Sequence, residues 1–289
     1  MVGTPPVPLS IRRCALNYRH AFHAGNFADL VKHAALLWLL AQMQRGGAPL
    51  QVIDTHGGSG LYDLRGTEAR RSGEAEAGVM RLMAQAEPAA EMTPLVQAVA
   101  EANSGGETWL YPGSPWLIAR ALRPGDRYDV FEMQPDEHGQ LSDLMAERKA
   151  VATHCADGFA GAVGQMARGA RHLVLVDPPF ERADDYGRSC DLAAGVLDQD
   201  PAATLLIWAP LKDLHTLDVF VRDLEDACDL APILIAEARM RPLEDPMKMN
   251  GCALALINPP DGAQAVLQAI CAAVVAEAVG GKAQVWPAG

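Results

Sequence analysis

Closely spaced cysteines are missing from this chain. The six present, Cys14, Cys155, Cys190, Cys228, Cys252 and Cys271, are scattered, with no C-x-x-C and no Cys/His spacing of a metal module. Neither a disulfide framework nor a zinc module is indicated, and a reducing cytoplasm suits such a chain. Long apolar runs are missing too: Ala34 to Ala41 is the most apolar stretch, less than half of the roughly 20 residues that span a bilayer. Residues 1–16 place two arginines after their prolines and lack the apolar core of a secretory signal, so they read as a disordered extension. No internal repeat or low-complexity tract is found. An excess of basic charge is also absent. The net charge of −12 counts against holding a nucleic acid by phosphate neutralisation alone. Residues 1–33, however, carry +3 and three histidines, leaving −15 for the rest. A local patch for a polyanion and a plain solvated amino terminus are both compatible with that distribution.

What is present is a globular composition. With 289 residues, 49% of them hydrophobic and 21% charged, the chain exceeds one average domain of roughly 100 to 200 residues, but an α/β domain with an insertion holds it. Apolar runs rich in Val, Ile and Leu predict strands at Leu50 to Asp54, Tyr128 to Met133, Leu173 to Asp177, Thr204 to Pro210, Ile233 to Ala236 and Cys252 to Asn258, with a weaker one at Val151 to Cys155. Helix-like segments separate most of them, which implies a doubly wound parallel sheet whose ligands bind beyond the carboxyl ends of its strands. Asn26 can cap a helix running to about Gln44, placing Lys32 and His33 away from much of its core stripe and within reach of a ligand. Residues 61–125 are too long for a simple crossover. The part at about 65–105 is expected to be an inserted helical subdomain, interrupted by Pro88 and Pro94.

The first strand leads into Asp54-Thr55-His56-Gly57-Gly58-Ser59-Gly60. Such glycines, here Gly58 and Gly60, let backbone turn tightly against a bound nucleoside. The dinucleotide fingerprint G-x-G-x-x-G is absent, which weakens a nicotinamide reading. Glu132 ends the next strong strand, where an acidic residue accepts hydrogen bonds from ribose hydroxyls. Asp157-Gly158 sits where a carboxylate meets an adenine amino group, although surface turns also use this pair. The sharpest signal is Asp177-Pro178-Pro179-Phe180 after an apolar strand. Its prolines lock the chain as it leaves the sheet and fix Asp177 and the Pro178 carbonyl as an acceptor pair. That pair suits an exocyclic amine on a planar base, with Phe180 stacking on the ring. D-P-P also ends strands for purely structural reasons, and Asn258-Pro259-Pro260 is read that way. His20 and His23 lack a third ligand for a metal, and no metal is expected. Arg239 and Arg241 lie in a loop where phosphate or solvent is their partner.

In joint order, these motifs resemble the amino-methyltransferases that use S-adenosylmethionine, whose signature is [DNS]-P-P-[FYW]. The stretch Asn17 to Asp29 with Lys32-His33, together with Asp54-Thr55-His56, Tyr111-Pro112-Gly113-Ser114-Pro115 and Asp177-Pro178-Pro179-Phe180, is similar to the RlmJ family, from about Leu16 to the carboxyl end. The resemblance implies a class I, Rossmann-like domain over residues 17–289 with a seven-stranded sheet. It implies methylation of an adenine N6 in 23S ribosomal RNA, with S-adenosyl-L-methionine as cofactor. Lys32, His33, His56, Ser114, Glu132, Asp157 and Gly158 would surround the cofactor, Asp177 would be catalytic, and Tyr18 would lie near the substrate base. The glycine turn reads G-G-S-G where the family often has A-G-A-G, and Phe180 stands where Tyr is usual. A soluble monomer acting on protein-free or early-assembly RNA is expected. Adenine methylation in DNA, and a non-catalytic RNA-binding assembly factor, are the alternatives.

Overall fold

The computed structural model describes residues 23–66, 71–229, 231–245 and 249–288. The extension at 1–16 and Tyr18 lie outside the described residues. Helix α1 (Phe27–Met43) starts where the Asn26 side chain accepts the Ala28 and Asp29 N–H groups at 2.9 and 3.0 Å, satisfying two of its orphan donors. Strands β1 (Leu50–Asp54), β2 (Leu61–Asp63) and β3 (Leu110–Pro112) follow, the last two pairing in a small antiparallel ladder. Between β2 and β3 come a π-helical turn (Glu76–Met80), α2 (Arg81–Met83), a 3-10 turn (Ala90–Met92) and α3 (Thr93–Ala102). Helix α3 packs on α1. Glu74 ties the start of this stretch to the α1 cap, meeting His23 Nδ1 at 3.0 Å and accepting from Asn26 Nδ2 at 2.9 Å.

The remaining elements are α4 (Ser114–Ala121), β4 (Arg127–Phe131), α5 (Pro135–Met145), β5 (Val151–His154), α6 (Gly158–Gly161), β6 (Arg171–Val176), α7 (Asp185–Gln199), β7 (Thr204–Leu211), α8 (Leu214–Cys228), β8 (Ile233–Arg239), β9 (Gly251–Ile257), α9 (Ala263–Val275) and β10 (Lys282–Ala288). The main sheet has the order β10-β8-β9-β7-β6-β1-β4-β5. Strands β7, β6, β1, β4 and β5 are parallel, whereas β9, β8 and β10 pair antiparallel. The class is the expected one, but the sheet has eight strands instead of seven. Lys282–Ala288 (KAQVWPA) is broken by Gln284 and Pro287, so it lacks the continuous Val, Ile and Leu run of a buried strand. It is tolerated because it forms an edge, where a missing N–H interrupts no second ladder.

Alternating strand residues divide the core. Val52, Leu173 and Leu175 face a layer built from α1, α3, α4, α5 and α9, while Ile53, Val174 and Val176 face α7 and α8. Each such buried aliphatic side chain contributes roughly 1.5–3 kcal/mol. Because α1 is covered on nearly all sides, Lys32 and His33 are 3% and 1% exposed instead of facing solvent. The chain builds β4 and β5 on one side of β1 and then returns to place β6 on the other. The topological switch point therefore lies between the carboxyl ends of β1 and β6, next to Asp54 and Asp177.

Candidate active site

A cavity of about 110 Å³ opens at that switch point. Its wall includes Lys32, His33, His56, Gly58, Ser114, Glu132, Asp157, Gly158 and Asp177, so nine of the residues singled out from the sequence converge from six parts of the chain. At its floor, the buried Asp54 carboxylate accepts from Ser114 Oγ at 2.7 Å, from the Tyr128 hydroxyl at 3.0 Å and from the His56 N–H at 3.2 Å. Burial pushes this acid up to about 6 despite those donors. Gly58 adopts φ +60° and donates its N–H to Glu132 Oε2 at 3.0 Å, and the Gln134 N–H reaches Oε1 at 2.6 Å. Both carboxylate oxygens are thereby oriented, and each keeps acceptor capacity. Burial raises the Glu132 acid above its ordinary value. At Gly158 an added Cβ would lie 2.1 Å from the Thr55 carbonyl oxygen, so only glycine permits this close approach of two loops.

The Thr55 hydroxyl lies 3.1 Å from the Leu175 carbonyl and 2.7 Å from His56 Nδ1, so it fixes the orientation of the imidazole. Burial lowers the His56 pKa to about 3, so the ring is neutral near pH 7. Asp157 caps α6 by accepting from the Phe159 N–H at 3.0 Å, and its other oxygen accepts from Arg188 at 2.5 Å. The Arg188 guanidinium also lies 4.4 Å over the Phe159 ring. His33 Nδ1 lies 2.7 Å from the Tyr111 hydroxyl.

Lys32 Nζ sits between two carboxylates, 2.8 Å from Asp29 Oδ1 and 2.5 Å from Asp177 Oδ2. Burial alone would lower its pKa, but Asp177 and Asp29 together raise it, so the ammonium keeps its charge. Asp177 Oδ1 has no hydrogen-bond partner among the described residues. The trio of two carboxylates and one ammonium is net negative beside the cavity.

Three expectations are not met by the placement of the side chains. Phe180, expected to stack on a base, is 6% exposed and packs in the core against Tyr186, Trp208 and Phe220, with ring centroids 4.5, 5.9 and 6.5 Å away. A left-handed turn at φ +48° carries its ring inward, where burial of a large apolar surface outweighs exposure at the wall. Pro179, not Phe180, lines the cavity after Asp177, and Pro178 is buried. Gly60 lies outside the wall, packed toward Leu141, Leu144 and Pro115. Arg239, a candidate phosphate contact, is bound to Glu237 instead. Thr55, Tyr62, Phe159 and Arg188 belong to the wall but were not singled out. Asp157-Gly158 preceding an aromatic was a signal for Phe159, whereas nothing in the spacing marked Arg188, 31 residues from its partner.

The model of the family described as "RsmJ: Ribosomal RNA large subunit methyltransferase D, RlmJ" matches residues 47–288. The chain belongs to the RlmJ family. It is 32% identical over 251 residues to the "Ribosomal RNA large subunit methyltransferase J" of Haemophilus influenzae, covering 85% of this chain and 88% of that protein. It is 30% identical over 246 residues to the protein of the same name from Escherichia coli, with the same coverage. Protein LPL1258 of Legionella pneumophila shares the fold, with a TM-score of 0.82 at 24% identity, over 92% of this chain and 98% of that one. Among the described residues, no helix of this RlmJ-family chain is long and apolar enough to cross a membrane.

Proposed function

We propose that the chain methylates the exocyclic N6 amine of an adenine in 23S ribosomal RNA, by in-line transfer from S-adenosyl-L-methionine to a base flipped out of its stack. The observation that carries this reading is the Asp177 carboxylate, held on a proline corner by Lys32 beside a glycine-lined cavity, with one oxygen left to accept. The cavity fits the cofactor: Gly58 and Gly158 leave backbone where a Cβ would collide, and Glu132 and Asp157 offer carboxylates suited to ribose hydroxyls and an adenine amine. His33, His56 and Ser114 complete that wall. When bound, S-adenosyl-L-methionine supplies an electrophilic methyl group on a sulfonium.

Asp177 Oδ1 accepts a hydrogen bond from the substrate amine and turns its lone pair toward the cavity, while the Pro178 carbonyl, expected as a second acceptor, belongs to a buried residue outside the cavity wall. The net-negative Asp29, Lys32 and Asp177 trio favours the amine as it becomes positive, and its buried, fixed geometry needs no reorganisation during reaction. Pro179 offers the apolar surface beside the acid, in the place expected for Phe180. A base reaches this recess only after leaving its stack, which favours a loop or single strand in protein-free or early-assembly RNA.

Incubation with tritiated S-adenosyl-L-methionine tests the reading. Label is expected in deproteinised 23S RNA, as N6-methyladenine, and not in duplex DNA. Label in DNA alone, or cofactor binding with no transfer to any nucleic acid, overturns it.

A further inference from the structure

The chain is acidic overall, yet its charge is separated in space. Segment 184–229, which forms α7, β7 and α8, carries eleven carboxylates against three cations. The edge of the sheet opposite the cavity is different. Register pairs Gln51 with Arg127 and Leu50 with Arg171, and pairs Tyr128 with Val151, so the amino-terminal ends of β6, β1, β4 and β5 form one row. Adjacent strands lie about 4.8 Å apart, making this row roughly 15 Å wide.

Five exposed cations gather there. Arg168 precedes β6, Arg45 precedes β1, Arg127 opens β4, and Arg148 and Lys149 precede β5. None of the five makes a side-chain hydrogen bond or ion pair with a described residue; the exposed carboxylates nearest them in sequence are Asp143 and Glu147, and the half-buried Asp200 at the same edge is taken by His172 of β6 at 2.7 Å. Two further arginines fasten the turn that carries Arg45. Arg171 donates to the Met43 carbonyl, and Arg123 donates to the Gln44 and Gly46 carbonyls while pairing with the buried Asp126 at 3.0 Å. The turn that carries Arg45 is thereby fastened to the row although it lies outside regular structure.

Five exposed, unpartnered cations along one edge of an otherwise acidic protein make a basic strip that suits a polyanion. We propose that this edge is a second RNA-backbone contact, in which Arg45, Arg127, Arg148, Lys149 and Arg168 hold phosphates of a ribosomal RNA helix flanking the target base. The inference rests on the reading of the chain as an RNA methyltransferase and adds a docking site to it. The strip is one strand length, about 20 Å, from the cavity, so the RNA reaches both by passing the β5 edge. The acidic α7 and α8 face repels it from the other route. Backbone contacts of this kind position a substrate without reading its sequence.

The test replaces all five cations by Gln and measures binding and methylation of deproteinised 23S RNA, and of the shortest fragment that still accepts methyl. On the long RNA, affinity is expected to fall roughly tenfold or more, with a log–log salt dependence flatter by about 3 to 5. The kcat at saturating RNA, cofactor affinity and Tm stay unchanged. On the shortest fragment, variant and wild type coincide, and the Arg45→Lys, Arg127→Lys, Arg148→Lys, Arg168→Lys variant, which keeps the charge, retains long-RNA affinity. Unchanged affinity and salt slope on the long RNA overturn the proposal, as does equal loss on both RNAs. Should the wild type methylate no RNA, the catalytic reading fails, and filter binding of the same RNAs still decides the strip.

Discussion

The two halves of the sheet are built from similar apolar runs but do different work. In the parallel half, β1, β4, β5 and β6 all end at one edge, so Asp54, Glu132, Asp157 and Asp177 are delivered to one place by the loops that follow. In the antiparallel half, β7, β9, β8 and β10 alternate in direction, and the ends of consecutive strands fall on opposite edges. That half buries Leu205, Leu254, Leu256 and Ile257 without any exposure and contributes nothing to the cavity wall. Parallel pairing concentrates chemistry; antiparallel pairing here supplies mass to the core.

Substitutions sharpen the contrast. Asp177→Ala is expected to lower methyl transfer by roughly 10³-fold, as for loss of one preorganised polar group, with cofactor affinity kept. Tritium transfer and calorimetry check this, and normal turnover would refute the assignment. Leu254→Ala in the antiparallel half is expected to cost about 2–5 kcal/mol of stability, read by denaturant unfolding, with KM values of the remaining folded enzyme unchanged. A selective loss of cofactor affinity there would break the division. Gly158→Ala crosses the two effects. Its Cβ would press on the Thr55 carbonyl, so about 1–3 kcal/mol of strain is expected together with weaker cofactor binding.

The smallest effect concerns pH. Glu132 accepts as a carboxylate, and burial raises its pKa above the ordinary 4.5. Its capacity to bind ribose hydroxyls is therefore full at neutral pH and lost as pH falls through that raised value, earlier than for an exposed glutamate. Cofactor affinity measured by calorimetry should weaken severalfold on mild acidification, and the dependence should shrink in Glu132→Gln to the part contributed by the Asp54 carboxyl, which titrates at about 6. A pH-independent wild type would show that Glu132 does not hold the ligand.

Much of the parallel half was legible, because a buried strand is a short apolar run and the candidate site residue stands where the run stops: Asp54, Glu132 and Asp177 were each visible as a polar residue ending such a run. Strand β10 was not, since an edge strand with Pro287 carries no such pattern. Phe180 was misplaced for a related reason. An aromatic after D-P-P has two apolar environments within reach, a ligand's ring or the core, and linear order does not distinguish them.

Local composition by itself determined the buried strands, the glycine turns and the proline corner, because each depends on the φ/ψ freedom and hydrophobicity of a few adjacent residues. Only tertiary structure decided which charges meet. Lys32 lies 145 residues from Asp177 and Arg188 lies 31 from Asp157, and the five cations of the opposite edge come from four separate segments. Electrostatic interaction depends on distance through space and on the surrounding dielectric, and neither is a property of separation along the chain.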